Sequence, residues 1–222
     1  MTKRRPGWLV PVIVLGALLV GGLLVAPFLW LFAGPATTPN PDRTTHVPAE
    51  EPLRIPAGAC EVGEPHFRGS GPADGELHGG GLAMPLPAGF AFGDPARMAY
   101  AFDVALVDSP EDESWAGVGA LRIEEPYHTP EQASSTVTAC LARAYADTRA
   151  EITDSAFVQL PGVSRAHERT GRLTLEGSAR EFRVLVADTY SPESLAVYVR
   201  VWTPGSAGAA ALADAERDLA KR

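Results

Sequence analysis

Lysine and asparagine are nearly missing from these 222 residues: Lys3 and Lys221 are the two lysines among 19 basic residues, and Asn40 is the single asparagine. With so much alanine, glycine and proline, that bias suggests a GC-rich bacterial gene. Cysteine is equally scarce. Cys60 and Cys140 cannot build a thiolate zinc site by themselves, and His46, His66, His78, His128 and His167 show no metal-ligand spacing. The carboxylates Asp108, Glu111, Asp112 and Glu113 lack the central glycine of a calcium loop and read as a solvated hairpin tip. "GVGALR" (117–122) has no third glycine and no helix after it, so it is packing rather than a phosphate cradle. No cofactor is expected from these patterns.

Charge is absent altogether from Pro6 to Pro41. Within that gap, "WLVPVIVLGALLVGGLLVAPFLWLF" from Trp8 to Phe32 exceeds the roughly 20 apolar residues a membrane-spanning helix needs. A spanning helix is therefore expected over 8–33. Trp8 and Trp30 would lie about 33 Å apart at helical rise, one in each headgroup zone. Lys3, Arg4 and Arg5 precede the run and no basic residue follows until Arg43, which puts residues 1–7 in the cytoplasm and the rest outside. A cleavable signal peptide is the rival, but its apolar core is usually only about 7–15 residues long. Pro11 and Pro27 would bend the ends of the helix. Ala17 with Gly21, and Gly22 with Ala26, are small-residue spacings through which two such helices would approach as a homodimer.

Beyond residue 41 the balance turns acidic. All 27 Asp and Glu lie there, against 16 of the 19 Lys and Arg, a net charge of −11. Nucleic acid and anionic headgroups are poor partners for such a surface. Residues 34–59 carry six prolines and read as a semi-extended linker ahead of a folded domain over 60–222. Both cysteines fall on the side assigned to the outside, where an even count favours a disulfide; two independent thiols are the alternative.

Residues 61–81 read as an irregular lead-in. "GLAMPLPAGFAF" reads as an edge strand broken by Pro85 and Pro87. Met98, Tyr100, Phe102, Val104 and Leu106 alternate with small residues as one face of a strand, and "WAGVGALRIEE" resumes as another. Thr129-Pro130-Glu131-Gln132 is a helix start, followed at helical spacing by Ala133, Val137, Cys140, Leu141 and Ala144. "RLTLEGSAREFRVLVADTY" reads as a hairpin turning at Gly177-Ser178. The next strand puts Leu195, Val197, Val199 and Val201 on one face, with Tyr198, Arg200 and Trp202 opposite. A helix is expected from Ser206 to the last residue, with Leu212 and Leu219 inward and Lys221 and Arg222 at its C-terminal dipole. The sum is an α+β domain, an antiparallel sheet flanked by two helices.

"HGGG" (78–81) spells the oxyanion loop of many lipases. Such an enzyme also needs a G-x-S-x-G elbow with an acid and a histidine after it. The nearest match, Gly162-Val163-Ser164-Arg165-Ala166, ends in alanine, and the one later histidine is His167. A bend leading into the first strand is the better reading of the glycines.

The order "GGGLAMPLPAGF", strand, "WAGVGALRI", helix with "TACLARAY", hairpin, strand, C-terminal helix resembles actinobacterial envelope proteins of the PsbP-like group, which includes the LpqN-type lipoproteins. It is more similar still to single-pass actinobacterial membrane proteins that pair a cysteine before "GGGL" with one in the middle helix. That resemblance implies a PsbP-like sheet flanked by helices and matches the Cys60–Cys140 pair. It supplies no catalytic residue, and no lipid-bearing cysteine is present here. The function expected is a non-enzymatic binding module of the cell envelope, with an unidentified envelope protein as partner. The alternative is a carrier or sensor of an apolar small molecule in a sheet–helix pocket lined by Trp115, Tyr198 and Trp202. An enzyme using carboxylates or His128 is the third reading.

Overall fold

A computed structural model describes residues 58–64, 75–124, 126–145, 150–175 and 178–221. The expected 1–7 tail, the 8–33 helix with Trp8 and Trp30, nearly all of the 34–59 linker, His46 and His66 lie outside the described residues. Among the described residues, no helix is long and apolar enough to cross a membrane.

The architecture is α+β. Among the described residues, ten strands, β1 (Glu76–Gly79), β2 (Leu82–Pro85), β3 (Ala91–Phe92), β4 (Phe102–Asp108), β5 (Trp115–Arg122), β6 (Ala150–Val158), β7 (Arg165–Leu175), β8 (Ser178–Asp188), β9 (Ser194–Trp202) and β10 (Ala220–Lys221), accompany two helices, α1 (Pro130–Ala144) and α2 (Ala207–Glu216). Seven strands form one sheet in the order β3-β4-β5-β9-β8-β7-β6, and β1-β2-β10 form a second. All their pairings are antiparallel.

The large sheet is covered on both faces, making three layers. On one face Ala133, Val137, Cys140 and Leu141 of α1 pack with Val104, Leu106, Val184, Val186, Val197, Val199 and Val201. On the other, Leu77, Leu82 and Met84 of the small sheet, with Leu212 and Ala215 of α2, pack against Val107, Val118, Leu185 and Tyr198. The alternation read in β9 is therefore real, but both of its faces are interior. Each valine so buried is worth about 1.5–3 kcal/mol, so the middle strands anchor the fold.

α1 begins as its sequence dictates. Thr129 is extended at the N-cap, its hydroxyl accepts from the Gln132 amide at 3.2 Å, and Pro130 occupies the first turn. Cys60 and Cys140 form a disulfide, with Cα atoms 5.3 Å apart. It straps a 3-10 turn, Ala59–Glu61, across α1. The Tyr127 hydroxyl donates to the Ala59 carbonyl at 2.7 Å, and the Gly63 amide to the Ala99 carbonyl at 2.9 Å.

Several boundaries differ from expectation. The lead-in contains β1, and β2 is the middle strand of the small sheet, with Pro85 as its last residue. "HGGG" is a β-hairpin: His78 and Gly79 end β1, Gly80 and Gly81 turn, and Leu82 opens β2. Both turn glycines have positive φ, 59° and 83°, as a two-residue primed turn requires. A β-carbon on Gly80 would also lie 1.8 Å from the Gly119 carbonyl oxygen. In β4 the register shifts between Phe102 and Ala105, with Asp103 at φ 50°. That bulge removes Phe102 from the cluster that holds Val104 and Leu106. The Asp103 carboxylate it displaces accepts from the Gly80 amide at 2.8 Å. In the second hairpin Ser178 pairs with Leu175 and so belongs to β8 rather than to the turn. The C-terminal helix stops at Glu216, and Leu219 is buried ahead of β10 rather than on a helix. Lys221 donates to the Thr189 carbonyl at 2.6 Å and sits over the Tyr190 ring.

Candidate functional site

Among the described residues, a recess opens on each face of the large sheet. The first, about 350 Å³, opens beside the C-terminal end of α1. Leu141, Ala144 and Tyr145 supply one wall, Trp115 at the start of β5 the floor, and Arg97, Glu113 and Arg180 the rim. The Trp115 indole donates to the Tyr145 hydroxyl at 2.7 Å, which fixes both rings, and the Arg97 guanidinium lies 5.8 Å from the Trp115 ring centre. Arg97 donates to the Asp108 carboxylate at 2.6 Å. Arg180 donates to the Glu113 carbonyl at 3.1 Å and pairs with the Glu113 carboxylate. The Arg180 side chain is 12% exposed, whereas that of Glu113 is 76% exposed. Burial pushes the Tyr145 phenol up and, outweighing the pull of Arg97, the Asp108 carboxyl up as well. Burial lowers the Arg180 guanidinium, and repulsion from Arg97 adds to that against the attraction of Asp112.

The second recess, about 460 Å³, lies on the α2 side and is ionic. Glu216, at the end of α2, reaches down to the sheet and pairs with Arg183 and with Arg200, the latter at 2.5 Å; Arg183 also pairs with Glu168. Arg200 stacks on the Trp202 ring at 4.1 Å, and the Trp202 indole donates to Glu181 at 3.0 Å. Burial pushes the Glu216 carboxyl up against the pull of both arginines, and it holds the Tyr198 phenol far above its usual range. Every charge here has an opposite partner. The cluster ties α2 to the sheet and shows no unspent acid or base.

The three aromatic residues expected in one pocket are not together. Trp115 floors the first recess, Trp202 lines the second, and Tyr198, fully buried between sheet and α2, lines neither. β9 aims Tyr198 and Trp202 away from the face that Trp115 shares with α1. The acidic turn after β4 is not simply a solvated tip either. Asp112 accepts from the Ser114 amide at 2.8 Å and from the Gly208 amide of α2 at 3.2 Å. Burial alone would raise this carboxyl, but hydrogen bonds from Ser206, Ser114 and Ser109 hold it down at about 2.

Among the described residues the histidines do not converge. His78 faces Glu76 at 3.2 Å, His128 is exposed, and His167 is buried beside Ser134 with Nδ1 2.8 Å from the hydroxyl. The Ser134 hydroxyl also lies 2.9 Å from the Glu131 carbonyl, and which of Ser134 and His167 donates to the other is set by the imidazole tautomer. Ser164 sits in a turn, its amide and hydroxyl both donating to the Asp188 carbonyl, and no nucleophile elbow is formed there. Among the described residues no group of three or more His, Cys, Asp or Glu side chains could hold a metal ion.

No protein-family model and no curated protein matches the chain. Among solved structures it is similar to the Ran-binding protein Mog1p of Saccharomyces cerevisiae, at 13% identity and a TM-score of 0.40, over 61% of this chain and 78% of that one. A point mutant of Mog1 gives 15% identity and a TM-score of 0.38 over the same shares. Overlap this slight assigns neither a family nor an activity to the chain.

Proposed function

We propose that this chain is a membrane-anchored binding module of a bacterial cell envelope, its α+β domain held outside the cytoplasm by the apolar run 8–33 and the proline-rich linker. The observation that carries this reading is the Cys60–Cys140 disulfide. Such bonds persist in oxidising compartments and are rare in the cytosol. The basic flank at Lys3, Arg4 and Arg5 predicts the same orientation independently. Resemblance in element order to the PsbP-like and LpqN-type envelope proteins, and in cysteine placement to single-pass actinobacterial membrane proteins, supports it further. Under this reading the chain has no catalytic activity, and its partner is an envelope protein met at the domain's surface. A homodimer through the small residues of the 8–33 helix is compatible with it. Protease added to spheroplasts tests the orientation: the domain is degraded together with an exported control. If the domain survives while that control is lost, the reading fails.

The second reading, a carrier or sensor of a small molecule, is favoured by the recess at the end of α1. Its volume falls within the range of small-molecule sites. Its two rim arginines, however, are not what a purely apolar ligand requires.

A further inference from the structure

We propose that the recess at the C-terminal end of α1 binds a small monocarboxylate with a flat apolar body, and that Glu113 occupies the carboxylate position while the site is empty. This goes beyond the envelope reading and does not rest on it, since the recess is the same in any compartment.

Four observations support the assignment. The recess is half apolar in character: Leu141 and Ala144 line one wall, and Trp115 is locked beneath by its bond to the Tyr145 hydroxyl. That is a rigid floor for a planar body. Two guanidiniums, Arg97 and Arg180, border the same space, and their mutual repulsion is relieved by an anion placed between them. Arg180 is largely buried, so its charge needs a partner. The partner it has is a carboxylate on an exposed loop: Glu113 is 76% exposed, carried by the turn between β4 and β5 rather than by a strand. A pairing to so exposed a side chain is worth little and exchanges readily with solvent or another carboxylate.

Glu113 is therefore a tethered competitor. A ligand carboxylate takes its place on Arg180, with Arg97 as the second donor, while the ligand body covers Trp115 and the α1 wall. Arginine forks match carboxylates bidentately, which favours this head group over a hydroxyl or an amide. Asp108 already holds Arg97 from the β4 side, so Arg97 contributes charge without being drawn out of position.

The test is calorimetric titration of the full-length protein, against a protein-free blank, with naphthoate and with its uncharged counterpart naphthylmethanol. Naphthoate is expected to bind at least about tenfold more tightly, the worth of a charge-assisted hydrogen bond. Glu113→Gln, which removes the competitor and spares the core, tightens naphthoate binding about two- to fivefold, the size of an exposed ion pair. Arg180→Met weakens it about tenfold or more and leaves naphthylmethanol unaffected. The proposal is overturned if the two compounds bind equally, if neither binds, or if Glu113→Gln leaves naphthoate unchanged or weaker. Because Glu113 is at the surface, its variant decides the matter even where Arg180→Met fails to fold.

Discussion

Breaking the Cys60–Cys140 bond has a calculable consequence. The bond closes a loop across a sequence separation of 80 residues. In the chain-entropy description, releasing such a loop in the unfolded state costs about 4.5 kcal/mol of stability. For a domain of this size each kcal/mol moves the thermal midpoint by about 2–4 °C, so the loss amounts to roughly 9–18 °C. The folded state offers little to offset it. Residues 58–64 are also held by the Tyr127–Ala59 and Gly63–Ala99 hydrogen bonds, worth about 1 kcal/mol each, by the exposed Glu64–Arg122 pair and by burial of the small Ala59 side chain. Thermal unfolding of the protein, oxidised and fully reduced, followed by near-ultraviolet circular dichroism in the same buffer, measures the difference. The Cys60→Ser, Cys140→Ser double variant serves as the permanently open form. A midpoint drop of less than about 3 °C in both would refute the reasoning. It would mean that the strap is ordered without its bond, or that the unfolded chain is already constrained.

Further outcomes follow from the same contacts. Glu216→Ala leaves Arg200 without its carboxylate and Arg183 with Glu168 alone, both guanidiniums being largely buried; urea unfolding should show a loss of about 3–5 kcal/mol, and a loss below about 1 kcal/mol contradicts the role given to the cluster. Gly80→Ala drives a β-carbon into the Gly119 carbonyl and should cost more than about 2 kcal/mol. Gly81→Ala meets only ordinary contacts and should cost about 1 kcal/mol, from its positive φ alone, so equal losses would show that the hairpin does not press on β5. The Asp112 carboxyl is lowered from 3.8 to about 2 on folding. Its contribution is therefore complete above the unfolded value and disappears as the pH falls toward 2. Partial exposure limits it to about 1 kcal/mol. Asp112→Asn should flatten that part of the stability–pH curve, and a parallel curve for the variant would be contrary evidence.

Where one physical cause dominated, the fold was legible in the residues. α1 was marked by its cap, its proline and its apolar stripe. β9 was marked by a strict two-residue alternation, although sequence could not say that both of its faces are covered. β6 is an edge strand with mostly exposed side chains, so no burial pattern is written into its residues. β1 runs into glycines that read as loop chemistry, and it is the pairing of Leu82 with Gly79 that makes them a hairpin. Helix-forming alanine, leucine and charged residues continue past Glu216, but Leu219 is buried by packing and Ala220 pairs with Ala83, which ends the C-terminal helix early. Of the recess at α1 the sequence points to Trp115 alone: Arg97 and Arg180 stand 83 residues apart, and their spacing does not join them. A useful signal did exist: Arg180 falls where β8 begins, opposite the acidic turn that holds Glu113.

The envelope reading proposed above requires this domain to lie outside the cytoplasm with Cys60 and Cys140 joined. Acid-quenched living cells, treated with a large maleimide before and after reduction, test that directly on an electrophoretic gel. The account predicts no mobility shift before reduction and a shift of two adducts after it. Two adducts on the unreduced protein, from cells in which an exported disulfide control stays unlabelled, would contradict it.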